Sequence, residues 1–263
     1  MAMILTQIEG VAAGDEVVDG LFRQCRYLCS LSLAMIAVLA ALSGESVQKH
    51  VYLHGFRNKI VKYLDFYRDF SGLGCFDVNQ VRMVQPNFDR CALTRWLASG
   101  YIVQLKNGLY AFKEWTALPG ADQIAANFMC RPSYISLYSA LSFYGMIPEF
   151  IAHTISVTTL KTASFSNEMG TFDYRHVKPD LFWGYHPIDS IDQRKILIAL
   201  PEKALLDLLY LTPSLKSEED MLQLRLDEDF MVSEFDQEQA RQFLARFNSK
   251  ALNRRFDSNP RRI

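Results

Sequence analysis

The stretch CFDVNQVRMVQPNFDRCALTRWLASGYIVQLKNGLYAF, residues 75–112, decides the fold of the first half of this 263-residue chain. It opens with valines at the three-residue spacing of one helical face: Val78, Val81 and Val84. This spacing predicts a helix over residues 77–84. Pro86 ends it, because proline lacks the backbone N–H that a continuing helix needs.

A second helix is predicted directly afterwards, over residues 87–98. Asn87 can cap its start, because an asparagine side chain accepts a free backbone N–H of the first turn. Apolar residues then mark a buried stripe: Leu93, Trp96 and Leu97. Gly100 follows at a position where many helices end on a left-handed residue.

A β-hairpin is predicted next. Residues 101–106 alternate between two faces, and residues 109–112 form the returning strand. Between them lies Asn107-Gly108, a dipeptide that strongly favours a tight hairpin turn. Two helices followed by a hairpin predict a winged helix-turn-helix over residues 57–115, which is a DNA-binding arrangement.

The charge distribution favours the same interpretation. Residues 57–114 contain nine Lys and Arg against five Asp and Glu, a net charge of +4 in a chain whose total is −1. Because neutralisation of phosphates supplies most non-specific DNA affinity, a local excess of positive charge indicates DNA binding. The alternative is a solvated surface on a small packing domain.

The candidate DNA contacts lie on the two helices, the turn between them and the tip of the wing: Arg82, Gln85, Asn87, Arg90, Thr94, Arg95, Gln104, Lys106 and Asn107. Arg90 and Arg95 lead this set, because a guanidinium group can hold guanine or phosphate at two points. They are five residues apart and cannot point the same way, so one of them could instead pair with Asp89. Asn87 and Asn107 have competing structural roles, as cap and turn residue.

Residues 1–56 form a predicted N-terminal extension. Residues 27–42 carry no charge, but this run is shorter than the roughly 20 residues of a membrane span. It could be a helix packed on the protein, a sign of a wrongly placed start, an interface helix or a targeting segment. Cys25 and Cys29 with His50 and His54 superficially match a two-Cys, two-His zinc site. However, twenty residues that include most of the apolar run separate the two pairs. We therefore expect neither metal nor cofactor.

The second half is predicted to be an α+β domain over residues 121–250, joined through the turn-rich residues 118–120 and followed by a basic tail at 251–263. A helix is predicted over 132–144 and another from Pro201, with helical, charged segments around 218–226 and 236–247. Strands are predicted between them, at 155–160, 164–167, 170–177, 181–185 and 195–200. Lys203 and Asp207 would pair on an exposed helix face. Five scattered cysteines favour a reducing, cytoplasmic location.

Several separated segments resemble, in order, the AbiEi antitoxins of AbiE-type (type IV) toxin-antitoxin systems. They are the NGLYAF wing (107–112), PSYISLYSALSFYGMIPE (132–149), TISVTT (154–159), FDYRHVKPDLFWGY (172–185) and ALPEKALLDLLYL (199–211). The resemblance spans about residues 59–212, and residues 1–56 match nothing in it.

The resemblance implies a non-enzymatic bacterial protein with two roles. The winged helix-turn-helix would bind double-stranded promoter DNA and repress its own operon, with residues 87–98 as recognition helix and 104–107 as wing tip. The second domain would counter a co-encoded nucleotidyltransferase-like toxin without a stable complex. Two alternatives remain. One is a transcriptional regulator of a defence or mobile-element locus without antitoxin activity, and the other is a DNA-targeted nuclease, although the sequence lacks the common phosphate-loop, zinc-protease and nucleophile motifs.

Overall fold

The computed structural model describes residues 62–191 and 194–258. The predictions for residues 1–56, including the apolar run and the Cys and His pairs, lie outside the described residues. The described part falls within one compact unit of the chain. Helices and strands are both abundant in it, so the predicted α+β class is confirmed at that level.

The first segment contains three helices and a three-stranded sheet. Helix α1 (Tyr63–Phe70) precedes a short turn of 3-10 helix and strand β1 (Cys75–Asp77). Two helices and a hairpin follow: α2 (Val78–Val84), α3 (Cys91–Ala98), β2 (Ile102–Lys106) and β3 (Leu109–Phe112). Strand β3 lies between β1 and β2 and is antiparallel to both. The predicted hairpin is therefore confirmed, with a bulge in β2 near its turn.

Helix α2 starts where its sequence provides a reciprocal cap. The Asp77 carboxylate accepts the backbone N–H groups of Asn79 at 2.6 Å and Gln80 at 2.9 Å. The Gln80 side chain in turn accepts the N–H of Asp77 at 3.0 Å. This capping box satisfies donors that the first helical turn leaves free. The predicted helix is confirmed, with Asp77 as its cap rather than its first residue.

The predicted cap at Asn87 is wrong, because α3 begins only at Cys91. Asn87 lies instead in a turn that the Phe88 N–H closes onto the Gln85 carbonyl, at 3.0 Å. Pro86 has the fixed backbone angle that suits the second position of such a turn.

The start of α3 is bound by the side chain of Asp89 rather than by that of Asn87. The carboxylate of Asp89 accepts the Cys91 N–H at 2.9 Å. Between the turn and the helix, Phe88 is buried beside Phe66 and Trp96, with ring centroids 5.5 and 6.0 Å away. Because Phe88 is buried in this turn, α3 begins at Cys91, four residues later than predicted.

The second segment builds a mixed six-stranded sheet. Two helices lead into it, α4 (Lys113–Thr116) and α5 (Ala121–Met129). Its elements in chain order are β4 (Ser133–Ile135), α6 (Leu137–Phe143), β5 (His153–Thr158), β6 (Ala163–Asn167), β7 (Gly170–His176), β8 (Tyr185–Asp189) and β9 (Lys195–Ala199). The strand order is β6-β7-β5-β4-β9-β8, with parallel pairs β4-β9 and β5-β7.

Two predictions in this segment are wrong. The predicted helix over 132–144 contains strand β4 at its start, because Ser133, Tyr134 and Ile135 are all buried near the middle of the sheet. The predicted strand at 181–185 is mostly a 3-10 turn ending at Leu181 and a loop, and β8 begins only at Tyr185. The other four predicted strands are confirmed.

A helical layer packs on one end of this sheet. It consists of α7 (Pro201–Leu211), α8 (Glu218–Gln223), α9 (Glu228–Ser233), α10 (Gln237–Phe247) and α11 (Lys250–Asp257). Helix α7 begins at Pro201 as predicted, and most of its side chains are buried. Part of the predicted basic tail belongs to α11, where Leu252 and Phe256 are buried. None of the described helices has the length and apolar character needed to cross a bilayer.

The two segments share a hydrophobic core across residues 118–120. The core of the first segment also takes in Phe172, Tyr174 and Ile196 from the six-stranded sheet. The Arg194 guanidinium of the second segment donates to the Gly72 carbonyl of the first. The predicted linker therefore connects elements that pack against each other.

Candidate nucleic-acid interface

Helix α3 has one face in the core and one in solvent. Ala92, Leu93 and Trp96 are buried against the first segment. Cys91, Thr94 and Ala98 are exposed, and the spacing of three and four residues places them on one stripe. The exposed stripe carries small side chains, which allow a partner to approach the helix backbone closely. Sequence reasoning included Thr94 but overlooked the two small residues beside it.

Arg90 lies immediately before this stripe and is exposed. Its guanidinium makes no ion pair or hydrogen bond with another described residue. The alternative pairing with Asp89 is not observed among the described residues, and the Asp89 carboxylate is instead bound to the start of α3. Arg82, on α2, is likewise exposed and without an ion pair to a described residue. Two arginines are therefore available at this surface.

Arg95 has a different environment. It is half-buried, and its Nε is enclosed without a hydrogen-bond partner among the described residues. An enclosed donor without an acceptor costs about 1–3 kcal/mol. An acceptor brought by a ligand, such as a phosphate oxygen, would remove this cost. Arg95 is thus the less accessible and the less satisfied of the two predicted arginines.

The polar residues of the turn are only partly available. The Gln85 side-chain amide donates to the Asp69 carboxylate at 3.3 Å, which joins the end of α2 to α1. Asn87 and Thr94 are exposed and keep their side chains in solvent. The turn therefore offers Asn87 to a partner more readily than Gln85.

The wing packs against the second segment. The Lys106 ammonium donates to the Met129 carbonyl and lies 5.7 Å from the ring centroid of Phe165. The Asn167 side-chain amide donates to the Leu105 carbonyl at 3.0 Å. Lys106, predicted as a DNA contact, is therefore turned toward the protein's own chain. No local pattern could have shown this, since its partners are distant in sequence.

The tip of the wing keeps two predicted residues at the surface. Asn107 is exposed, and Gln104 is exposed with its amide 3.4 Å from the Lys106 carbonyl. The Gly108 carbonyl accepts the Val78 N–H at 3.2 Å, so the tip is fastened to the start of α2. Helix α3, Arg82 and the fixed wing tip thus keep predicted contact residues exposed, whereas the Lys106 ammonium is bound by the protein itself.

A second polar cluster lies inside the other segment. Lys203 and Asp207 form the predicted pair, but the predicted exposure is wrong, because both side chains are completely buried. Asp207 also accepts the hydroxyls of Tyr134 and Ser136, each at 2.9 Å. The Tyr134 hydroxyl accepts the Lys203 ammonium at 2.9 Å. Each of the four polar side chains therefore has at least one partner inside the cluster.

Burial shifts the pKa values in this cluster. It lowers the pKa of Lys203 and raises that of Asp207, while the ion pair opposes both shifts. Trp183 and Phe247 cover the ammonium with ring centroids 4.9 Å away. A substrate could not reach either group without opening the core, so the cluster is structural in this conformation.

The histidines of the described residues do not assemble a site. The Nδ1 of His153 is 3.5 Å from the Asp173 carboxylate, and the Nδ1 of His176 is 2.9 Å from the Leu160 carbonyl. Within residues 62–191 and 194–258, no group of three or more His, Cys, Asp or Glu side chains could hold a metal ion.

Comparisons with known proteins add no further assignment. No protein-family model matches the chain, and no curated protein matches it either. The resemblance to the AbiEi antitoxins is consequently an expectation from the sequence. The exposed face of α3, with Arg90 at its start and Arg82 nearby in sequence, is the feature on which a functional proposal can be built.

Proposed function

We propose that this chain binds promoter DNA as a winged helix-turn-helix autorepressor and acts as the antitoxin of a type IV toxin-antitoxin operon. The observation that carries the DNA-binding part is the arrangement of the first segment. Its element order α1-β1-α2-α3-β2-β3 and its sheet order β1-β3-β2 match a winged helix-turn-helix. In such proteins the second helix of the pair enters the major groove.

Helix α3 has the surface that this docking requires. The N-terminal end of a recognition helix contacts base edges, and Arg90 stands at that end of α3. Its guanidinium can hold the O6 and N7 of guanine together. Thr94 lies one turn further on the exposed stripe, where it could meet a base or a phosphate.

Charge pairing limits the number of phosphate contacts. Arg68 pairs with Asp65 at 3.3 Å, and Lys113 pairs with Glu168 at 2.6 Å. Among the described residues of the first segment, the cationic side chains without an ion pair or hydrogen bond are then Lys62, Arg82, Arg90 and the half-buried Arg95. They would supply about two to four phosphate or base contacts, for a salt slope of roughly −2 to −4. So few contacts give a single chain weak affinity for DNA. Strong binding then requires more than one chain on repeated half-sites.

The experiment is a titration of the full chain against its own upstream DNA and a scrambled duplex at several salt concentrations. Arg90→Ala should weaken binding to the promoter by about tenfold, because a two-point contact to guanine contributes roughly 1–3 kcal/mol. Arg241→Ala is the matched control, since Arg241 is an exposed arginine on α10. Equally weak binding to both duplexes would contradict the proposal.

The antitoxin part follows from the resemblance and has its own test. The full chain is co-expressed with the nucleotidyltransferase-like protein encoded beside it, and growth is measured. We expect restored growth with the wild-type chain and with Arg90→Ala, because the two roles use different segments. Repression without restored growth would favour the alternative of a regulator without antitoxin activity.

A further inference from the structure

A cleft of about 350 Å³ opens on the second segment, away from α3 in sequence and from the buried lysine cluster. Its apolar lining comes from three places: α6, the loop that follows it and the region around α8. The lining side chains that carry the argument are Tyr138, Ile147, Ile151, Leu215 and Leu224. Phe150 belongs to the same loop and is 91% exposed. An apolar cleft with an exposed aromatic ring beside it is a typical protein-binding feature.

The two sides of the cleft are fastened together. The Arg225 guanidinium binds the Glu149 carboxylate at 3.0 Å. The Asp227 N–H donates to the Met146 carbonyl at 2.8 Å. The loop after α6 is therefore tied to the chain after α8, and the cleft is formed before any partner arrives. A preformed site avoids the ordering cost of binding.

One wall of the cleft belongs to a strongly acidic stretch of the chain. Residues 217–238 contain nine Asp and Glu and one basic residue, Arg225. Nearly all of these acids are exposed. Asp220 lines the cleft itself, whereas the Glu149 carboxylate in the lining is paired with Arg225. A partner that fits must combine positive charge with apolar side chains.

The geometry points to a docking site for a basic, amphipathic protein segment, whose apolar side chains enter the cleft while its Lys and Arg side chains meet the acidic surface of α8. A cleft of this size is at the low end of the roughly 300–1,000 Å³ of small-molecule sites, and it holds only one or two anchoring side chains. An amphipathic helix presents such anchors at spacings of three and four residues. The surface repels DNA and thus differs in kind from the α3 face.

The experiment uses two short fluorescein-labelled peptides of equal charge. In one, Lys and Leu alternate at the spacing of an amphipathic helix, and in the other every Leu is replaced by Ser. Fluorescence anisotropy with the full chain should show the Leu peptide binding at least about tenfold more tightly, because only it can fill the cleft. Equal affinity, or no binding of either peptide, would overturn the proposal.

Variants locate the site. Phe150→Ser removes an exposed ring that cannot disturb the core, and Leu215→Ser removes one wall of the cleft. Each should weaken the Leu peptide by about threefold to tenfold and leave the Ser peptide unchanged. Val232→Ser is the matched control, because Val232 is an exposed apolar residue on α9 outside the cleft lining. An equal loss with Val232→Ser would show that the peptide coats the surface non-specifically and would overturn the proposal.

The acidic contribution is tested separately. The double variant Glu218→Gln and Glu219→Gln should weaken both peptides and reduce their salt dependence, whereas Glu234→Gln with Glu238→Gln should have a smaller effect. Promoter binding should be unchanged in all these variants. The peptide titrations therefore test the cleft proposal alone. The promoter titration with Arg90→Ala tests the DNA-binding proposal alone, so the failure of one proposal is distinguishable from the failure of the other.

Discussion

Lys203 in the core and Arg90 on α3 are both cations, and their surroundings differ in every respect. Lys203 is completely buried, bound to Asp207 and Tyr134 and covered by aromatic rings. Arg90 is exposed and has no ion-pair partner among the described residues. The difference separates a charge that holds the fold from one that is available to a ligand. A buried ion pair supported by further hydrogen bonds marks the first kind, and an exposed guanidinium without an ion pair marks the second.

The largest expected effect comes from removing the partner of the buried lysine. Asp207→Ala leaves the Lys203 ammonium in the core without its counter-charge, which should lower the free energy of unfolding by about 3–5 kcal/mol. Urea denaturation measures it. Asp229→Ala, at an exposed position on α9, is the control and should change stability little. A loss below about 1 kcal/mol would mean that the core relaxes around Lys203. It would contradict the claim that the buried pair holds the fold.

Arg82→Ala tests the other side of the comparison. If Arg82 contacts phosphate, binding should weaken equally for the promoter and for a scrambled duplex, and the salt slope should fall by about 0.9. Thermal unfolding should be unchanged, because the side chain is exposed and unpaired within the described structure. A loss confined to the promoter would instead assign Arg82 to base recognition.

Lys106→Met tests a cation that the sequence predicts as a DNA contact but that the structure shows bound to the protein itself. The hydrogen bond to the Met129 carbonyl is lost, so the free energy of unfolding should fall by about 1 kcal/mol while DNA affinity changes little. Stability and affinity are measured on the same preparation. Weaker DNA binding at unchanged stability would return Lys106 to the interface.

The smallest expected effect concerns Glu202. Burial raises the pKa of its carboxyl above 4.5, although the Asp236 N–H, which donates to it at 3.0 Å, opposes the shift. The folded state therefore holds this proton more tightly than the unfolded state. The associated stability is present below pH 4.5 and is lost as the pH rises through the folded-state pKa. Melting temperatures between pH 4.5 and 7 should decline less in Glu202→Gln than in the wild type, and parallel curves would contradict this.

Sequence patterns predicted the elements with local signals and failed where distant contacts decide. The valine spacing of α2 and the Asn107-Gly108 turn are local, and both predictions are confirmed. The predicted cap at Asn87 is wrong because Phe88 packs in the aromatic core. Lys106 was predicted as a DNA contact because its partner, the Met129 carbonyl, lies 23 residues away and no local pattern reveals it.

The site in the second segment was less predictable still. Lys203 and Asp207 were correctly paired by their helical spacing, but an amphipathic pattern cannot show that α7 is enclosed on all sides. Strand β4 was hidden inside an apolar run whose type is ambiguous in a sequence. Both errors arise because burial is set by the whole fold.

The shared core across residues 118–120 has a consequence for how this chain can evolve. Separation at that turn would divide the core that Phe112 and Trp115 of the first segment share with Phe172, Tyr174 and Ile196 of the second. The Leu105 carbonyl would also lose the Asn167 side-chain amide that donates to it at 3.0 Å. Exchange of the first segment alone would therefore leave unmatched core surfaces on both halves. Under the proposed function, a new operator specificity would arise by substitutions on the exposed face of α3 rather than by exchange of the whole segment.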